Sequence, residues 1–324
     1  MKNADAPKTL VEAIRLYSDP DVCLATVVAM RWPNGVTCPE CGSTEVTFLA
    51  NQRRWKCRTN HPKRQFSVKV GTIFEDSPIG LDKWLAAIWM VANCKNGISS
   101  YEMARDLGVT QKTAWFMNHR IRLAMQSGGM GPMGGEVEVD ETFIGGRARN
   151  MHAAKRRERI KGTGSMSGGK AAVMGLLERH GPDGHSRVRT KLVPSTKRKV
   201  LDPVVREHVT KGAAVYTDAH ASYDALGDEY THKVVDHAEC YVKGRVHTNG
   251  MENFWSLLKR SIKGTYVSVE PFHLFRYLDE QSFRFNTRKG KDGARFLMVA
   301  GSIAEKRLTY KQLTGKTQVE ASPA

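Results

Sequence analysis

The pattern that most narrows what this chain can fold into lies near its N-terminus, where Cys38-Pro39-Glu40-Cys41-Gly42 is followed by Trp55-Lys56-Cys57 and then His61. Proline and glycine bend the first segment so that two thiolates face one point. Cys57 and His61 bring the donors to four, the tetrahedral N/S set that Zn²⁺ prefers. Residues 44 to 54 between them alternate in part, as short strands do. A closed site with four protein ligands leaves no position for a substrate, so the expected metal is a structural zinc and the expected fold a zinc ribbon.

Charge adds a second constraint. The 324 residues carry 50 Lys and Arg against 33 Asp and Glu, a formal net charge of +17, which calls for a polyanionic partner. No run of about 18 apolar residues occurs, and residues 1 to 10 lack a signal-peptide core, which sets a membrane partner aside and makes a cytoplasmic, nucleoid-associated protein the expectation. The six cysteines, at 23, 38, 41, 57, 94 and 240, contain a single CxxC and do not resemble a disulfide framework; Cys23, Cys94 and Cys240 are read as small buried apolar residues. Arg53, Arg54, Lys56, Arg58, Lys63 and Arg64, interleaved with Trp55 and Phe66, fit a ribbon that touches nucleic acid.

Taken in order, residues 9 to 30 read as two helical stretches broken at Ser18-Asp19-Pro20, and Leu81 to Asn93 as a helix apolar nearly all round. Ser99 to Glu102 is a capping box, Met103 to Leu107 a short helix, Gly108 a turn, and Thr110 the N-cap of a helix from Gln111 to Met125. That is a helix-turn-helix pattern, with Ala114, Met117, Ile121 and Ala124 inward and Lys112, Asn118, Arg120 and Arg122 outward. The expected organisation is N-terminal helices and zinc ribbon over 1–74, a helix-turn-helix region over 75–127, a glycine-rich linker over 128–135, a catalytic domain over 136–290, and a C-terminal helix and tail over 291–324.

Beyond the linker, Glu136 to Ile144 alternates like a strand, with Asp140 on one face beside Glu136, Glu138 and Thr142, and Val137, Val139, Glu141 and Phe143 on the other. Residues 171–177 and 187–193 read as two more strands of an antiparallel meander. A helix follows from about Ser195 to Thr210. Ala213 to Asp218 reads as a buried strand ending in an aspartate, with a helix opening after it. Val246 to Arg260 reads as a helix with a core stripe of Met251, Phe254, Trp255 and Leu258 and a second face carrying Asn249, Glu252, Ser256 and Lys259. Two strand-borne aspartates and a helix-borne glutamate are the oxygen donors that a hard divalent cation needs, and without one they repel each other. Asp218 as a plain helix N-cap is the alternative that the residues leave open.

Five passages together resemble the insertion-sequence transposases of the DDE class that carry an N-terminal zinc ribbon: CPECG with QFSVKVGTIFEDSPIGLDKWL (65–85), VEVDETFIGG (137–146), VYTDAHASY (215–223), HTNGMENFWSLLKR (247–260) and YLDEQSFRFNTR (277–288). The resemblance implies an α/β fold with an RNase H-like mixed sheet and flanking helices. It implies Asp140, Asp218 and Glu252 as ligands of catalytic Mg²⁺ or Mn²⁺, with Lys259 as the downstream basic residue. Asn249, one turn before Glu252, is the other candidate for the third position. The implied activity is two-metal-ion cleavage and strand transfer at the element's own terminal inverted repeats, on double-stranded DNA and as a homo-oligomer. The basic run from Arg147 to Lys170 would contact DNA, while His220, His247 and Asn286 are read as satisfied polar residues near the site. Two alternatives are a non-catalytic zinc-ribbon and helix-turn-helix regulator with a decayed RNase H-like domain, and an RNase H-like nuclease for junctions or hybrids.

Overall fold

The computed structural model describes residues 6–126, 130–146, 170–218, 221–235 and 246–315. The chain divides into two compact units, Met1–Gln126 with Lys289–Ala324, and Ser127–Arg288. Among the described residues no helix is long and apolar enough to cross a membrane.

In the first unit, Thr9 caps α1 (Leu10–Leu16) by accepting from the Glu12 amide, and Asp19 caps α2 (Pro20–Arg31), where Pro20 takes the first helical position and its missing N–H costs nothing. Three short antiparallel strands follow: β1 (Val46–Leu49), β2 (Arg54–Cys57) and β3 (Gln65–Phe66). Trp55 and Phe66 were expected among the nucleic-acid contacts. They are 7% and 3% exposed instead, packed on each other and on Trp32. So small a unit has few other side chains with which to build a core, and its aromatic rings are spent there. The cations Arg53, Arg54, Lys56, Arg58 and Lys63 stay on the surface.

Helix α3 (Leu81–Asn93) buries Trp84, Leu85, Ile88 and Trp89 on one side and Ala87, Met90 and Val91 on others, as its composition predicts. Helices α4 (Ser100–Leu107) and α5 (Gln111–Ala124) are joined through Gly108, whose φ of 59° is easily reached only without a Cβ. The outward face assigned to α5 needs correction. Lys112 is exposed, but Asn118, Arg120 and Arg122 are 1%, 4% and 1% exposed. The cause is distant in sequence: the C-terminal segment returns over this helix, and the Arg120 guanidinium donates to the carbonyls of Leu308 (3.1 Å), Ile73 (3.0 Å) and Glu75 (2.7 Å). Those three acceptors offset the cost of taking a cation out of water.

The second unit is built on a five-stranded mixed sheet of β4 (Glu136–Ile144), β5 (Ala171–Glu178), β6 (Arg187–Val193), β7 (Ala214–Asp218) and β8 (Thr231–Val235), in the order β6-β5-β4-β7-β8. β4, β5 and β6 form the antiparallel meander that the strand patterns predict, whereas β4, β7 and β8 run parallel. This is the RNase H-like arrangement. Helix α6 (Arg198–His208) covers one face, packing Leu201, Val204 and Val205 on Val137, Val139, Met174, Leu176 and Val215. Helices α7 (Asn249–Ser261) and α8 (Leu274–Asn286) cover the other, where Met251, Phe254, Trp255 and Leu258 meet Ile144, Val173, Leu177 and Val188. Each such fully buried side chain contributes about 1.5–3 kcal/mol.

Two local expectations differ from what is found. The helix expected just after Asp218 is only a 3₁₀ turn at Ala221–Tyr223, and the chain then adds β8 as an edge strand with no periodic signature of its own. The glycine-rich stretch read as a linker is, over residues 130–135, held to the sheet. Met133 is fully buried and bridges Val209, and the Gly134 amide donates to Glu178 Oε1 at 2.7 Å.

Candidate active site and zinc centre

Cys38, Cys41, Cys57 and His61 converge so that their ligand atoms all lie within 4.8 Å of one another. The tight turn that aims the first two rests on Gly42, with φ 73°, and on its amide donating to the Cys38 carbonyl at 2.8 Å. Zinc–sulfur and zinc–nitrogen bonds of about 2.3 and 2.0 Å imply tetrahedral edges of roughly 3.8 Å between sulfurs and 3.5 Å from sulfur to nitrogen. Cys41 Sγ to Cys57 Sγ is 3.7 Å and Cys38 Sγ to His61 Nε2 is 3.4 Å. The four donors therefore fit zinc, with His61 as the fourth. Among the described residues no second group of metal-type ligands gathers so tightly.

The carboxylates are brought together by sheet register rather than by local spacing. β7 pairs with β4 in parallel, with Glu136, Val137 and Glu138 opposite Ala214, Val215 and Tyr216. Extending that register carries Asp140 alongside Asp218 at the end of β7. Glu252 stands in the first turn of α7, and its charge and that of Asp218 both reach Asp140. Both Asp140 oxygens are oriented: Oδ2 accepts from Trp255 Nε1 at 2.9 Å and Oδ1 from the Glu141 amide at 2.8 Å. Burial foremost pushes the Asp140 pKa up to about 6, against those two hydrogen bonds, and the neighbouring negative charges add to the rise. Oδ1 of Asp218 and Oε1 of Glu141 are buried without a hydrogen-bond partner. Buried, partnerless carboxylate oxygens beside a third acid are what a hard cation satisfies.

Residues outside the proposed ligand set hold α7 against β4. Glu138, 1% exposed, accepts from the Met251 amide through Oε2 (2.9 Å) and from Arg179 Nε through Oε1 (2.7 Å). It does the work of a helix N-cap, because the Thr248 side chain makes no capping bond. Arg179 also donates to the His247 carbonyl at 2.7 Å and lies 4.5 Å over the Tyr216 ring, whose hydroxyl donates to Glu136. Two glycines make the approach possible. A Cβ on Gly250 would stand 2.8 Å from Glu138 Oε2, and one on Gly175, the residue opposite Asp140 on β5, would strike Met251 and the Trp255 ring at 2.1 and 2.7 Å. The sequence pattern puts Glu138 on the Asp140 face, beside Glu136 and Thr142, without showing its role.

Lys259 lies two turns along α7 from Glu252 and is exposed, as are Glu252 and Asn249. His247 is tied to Arg179, and Asn286 clamps Val188 through both its amide nitrogen and its amide oxygen, so each is engaged structurally. His220, Cys240 and, apart from Lys170, the basic run from Arg147 lie outside the described residues.

Residues 132–286 match the model of the ISXO2-like transposase domain, and residues 18–59 match that of the transposase zinc-ribbon domain. A Halobacterium salinarum protein described as an uncharacterized protein in transposable element ISH50 is 30% identical over 241 residues, spanning 71% of this chain and 79% of the relative. The chain belongs to the ISXO2-like transposases. This transposase is also 32% identical over 120 residues to a Haemophilus influenzae protein described as transposase-like, covering 36% of the chain and 97% of that relative. The zinc-ribbon match lies within the first compact unit and the transposase-domain match within the second. Membership makes DNA the expected partner of the +17 transposase.

Proposed function

We propose that this transposase cleaves and joins DNA strands at the ends of its own element, with Asp140, Asp218 and Glu252 holding two divalent cations and Lys259 meeting a backbone phosphate. One observation carries the reading: an oriented Asp140 under the charge of Asp218 and Glu252, beside a buried Asp218 oxygen that has no partner. The cations, Mg²⁺ or Mn²⁺, would activate a water or a 3′-hydroxyl and offset charge on the leaving oxygen of an in-line displacement. The chain's own part is positional. Trp255 and the Glu141 amide hold the Asp140 carboxylate in one rotamer, Glu138 holds the first turn of α7, and Lys259 stands on the same helix as Glu252. Glu252 is favoured over Asn249 for the third position, because a carboxylate is the stronger ligand for a hard cation.

The zinc ribbon and the α4–α5 pair would supply DNA affinity. Exposed cations on the ribbon and the exposed Lys112 in the first turn of α5 suit phosphate contact, whereas the buried Arg120 and Arg122 do not. The test is nicking of duplexes carrying the element's ends, with zinc-loaded protein and added Mg²⁺ or Mn²⁺. Asp140→Asn is expected to keep end binding and to lose nicking. Wild-type protein that binds the ends but never nicks them would establish the regulator reading instead. Nicking without joining of the new 3′-end to target DNA would leave a nuclease.

A further inference from the structure

One stretch of the second unit is not absorbed by the carboxylate site. α7 ends in a π-helical turn at Ile262–Tyr266, and the next residue, Val267, has φ 61° and ψ −55°. The Ser268 amide donates back to the Tyr266 carbonyl at 2.6 Å, so Val267 is the centre of the strained form of γ-turn. A β-branched residue is poorly suited to that conformation, and strain of this kind persists only where the surroundings impose it. Here they do: the Tyr266 hydroxyl is bonded to Glu280, which is 1% exposed and paired with the buried Arg284. The side chain so presented is 77% exposed. An anchored, strained turn that puts an apolar side chain into water is unexplained by packing.

Val267 forms one wall of a cleft of about 480 Å³, with Ile144 and Val269 as apolar lining and Lys170, Lys259 and Lys263 as its cations. The volume suits a group the size of a nucleotide. The cleft is close to the carboxylates by construction. Ile144 lies four residues beyond Asp140 on β4, and Lys259 seven beyond Glu252 on α7, which at the rise of a strand and of a helix is on the order of 10–13 Å. That spans a few nucleotides of a strand whose phosphate lies at the acids.

We infer that this cleft seats an unstacked nucleotide next to the scissile phosphate, with Val267 wedged into the opened base step and the lysines on the flanking phosphates. The inference rests on the proposed activity at DNA ends. Apolar wedges inserted between base steps, with cations on the backbone alongside, are a general way for a protein to open a duplex. The strain at Val267 has a use in that role: a side chain on a pinned γ-turn cannot fold back onto its own surface when the bases press on it.

The experiment uses end duplexes with 2-aminopurine at single positions around the scissile phosphate, together with matched duplexes mispaired at those positions. Wild-type protein is expected to raise the fluorescence several-fold at one position and to nick paired and mispaired ends at similar rates. Val267→Gly removes the wedge and relaxes the turn, so its melting temperature should hold. It is expected to lose the fluorescence rise and to nick the paired end at least tenfold more slowly, while nicking the mispaired end like wild type. Lys263→Glu tests the phosphate contact separately and is expected to weaken binding to both ends. Val267→Gly acting like wild type on paired DNA, or slowed equally on both substrates, overturns the inference. Wild-type nicking without any fluorescence rise overturns it and leaves the proposed activity standing, whereas no nicking of either end removes that activity as well.

Discussion

The zinc ligands, gathered within 4.8 Å of one another, and the looser set of Asp140, Asp218 and Glu252 are brought together by opposite routes. The zinc ligands fall between residues 38 and 61, on turns and short strands that close on themselves. The carboxylates stand at residues 140, 218 and 252 and meet through a parallel strand pairing, a crossover and a helix pinned by Glu138. A local cluster can be stapled by its ion, which supplies folding energy that so small a unit lacks. Carboxylates spread this widely along the chain must instead be brought near one another by the core.

The first way to break that contrast is to remove each metal in turn. Chelating zinc from reduced protein should unfold the ribbon, a loss on the order of 10 kcal/mol of coupled binding and folding, while the second unit keeps its melting transition. Withholding Mg²⁺ should stop nicking with no change in circular dichroism. A ribbon that stays folded without zinc would erase the distinction. The next effect is on rate: Asp140→Asn or Asp218→Asn should cost at least about a thousandfold in nicking, or roughly 4 kcal/mol, with zinc content and end binding unchanged.

The pinning of α7 is tested one step further down. Glu138→Ala removes the acceptor for Arg179 Nε, leaving Arg179 its bonds to His247, and uncaps the helix that carries Glu252, which should cost about 1–3 kcal/mol. Gly175→Ala, forcing Trp255 off Asp140, should cost about 1–3 kcal/mol and slow nicking in parallel. Urea melts give both values, and unchanged stability in Glu138→Ala would mean that the sheet holds the helix without it.

The smallest effect is on pH. Burial foremost, then the charges of Asp140 and Asp218, pushes the Glu141 pKa from the usual 4.5 up to about 8. A raised folded-state value means that the stabilisation is complete below pH 4.5 and lost as pH rises through 8. Metal-free wild type should therefore lose melting temperature between pH 5 and pH 9, and Glu141→Gln should lose less, by about a few degrees. Parallel melting curves for the two proteins would disprove it.

Much of this was legible in the chain. Cys38 to Cys41 and Cys57 to His61 announced their geometry through spacing, because a knuckle is a local object. Strand alternation put Asp140 and Glu138 on one face and the Val137 and Val139 pair on the other, and the helical stripe of Met251, Phe254, Trp255 and Leu258 packs as its period requires. What the same patterns misassigned is equally specific. Trp55 and Phe66 looked like contacts and are core, and Arg120 and Arg122 looked solvated and are buried.

Each of those errors has one cause. Periodicity ranks a residue by its neighbours in the chain, whereas burial depends on whatever arrives from elsewhere. Leu308 covers Arg120 from a segment that no local pattern ties to α5. From residue order alone one could read the zinc ligands, the strand faces and the family that their motifs resemble. Only the tertiary structure decided that Glu138 caps α7, that Gly175 leaves room for Trp255 on Asp140, and that a strained Val267 stands exposed beside three lysines. Those facts depend on the distance between residues remote in sequence, which the packing of sheet and helices sets.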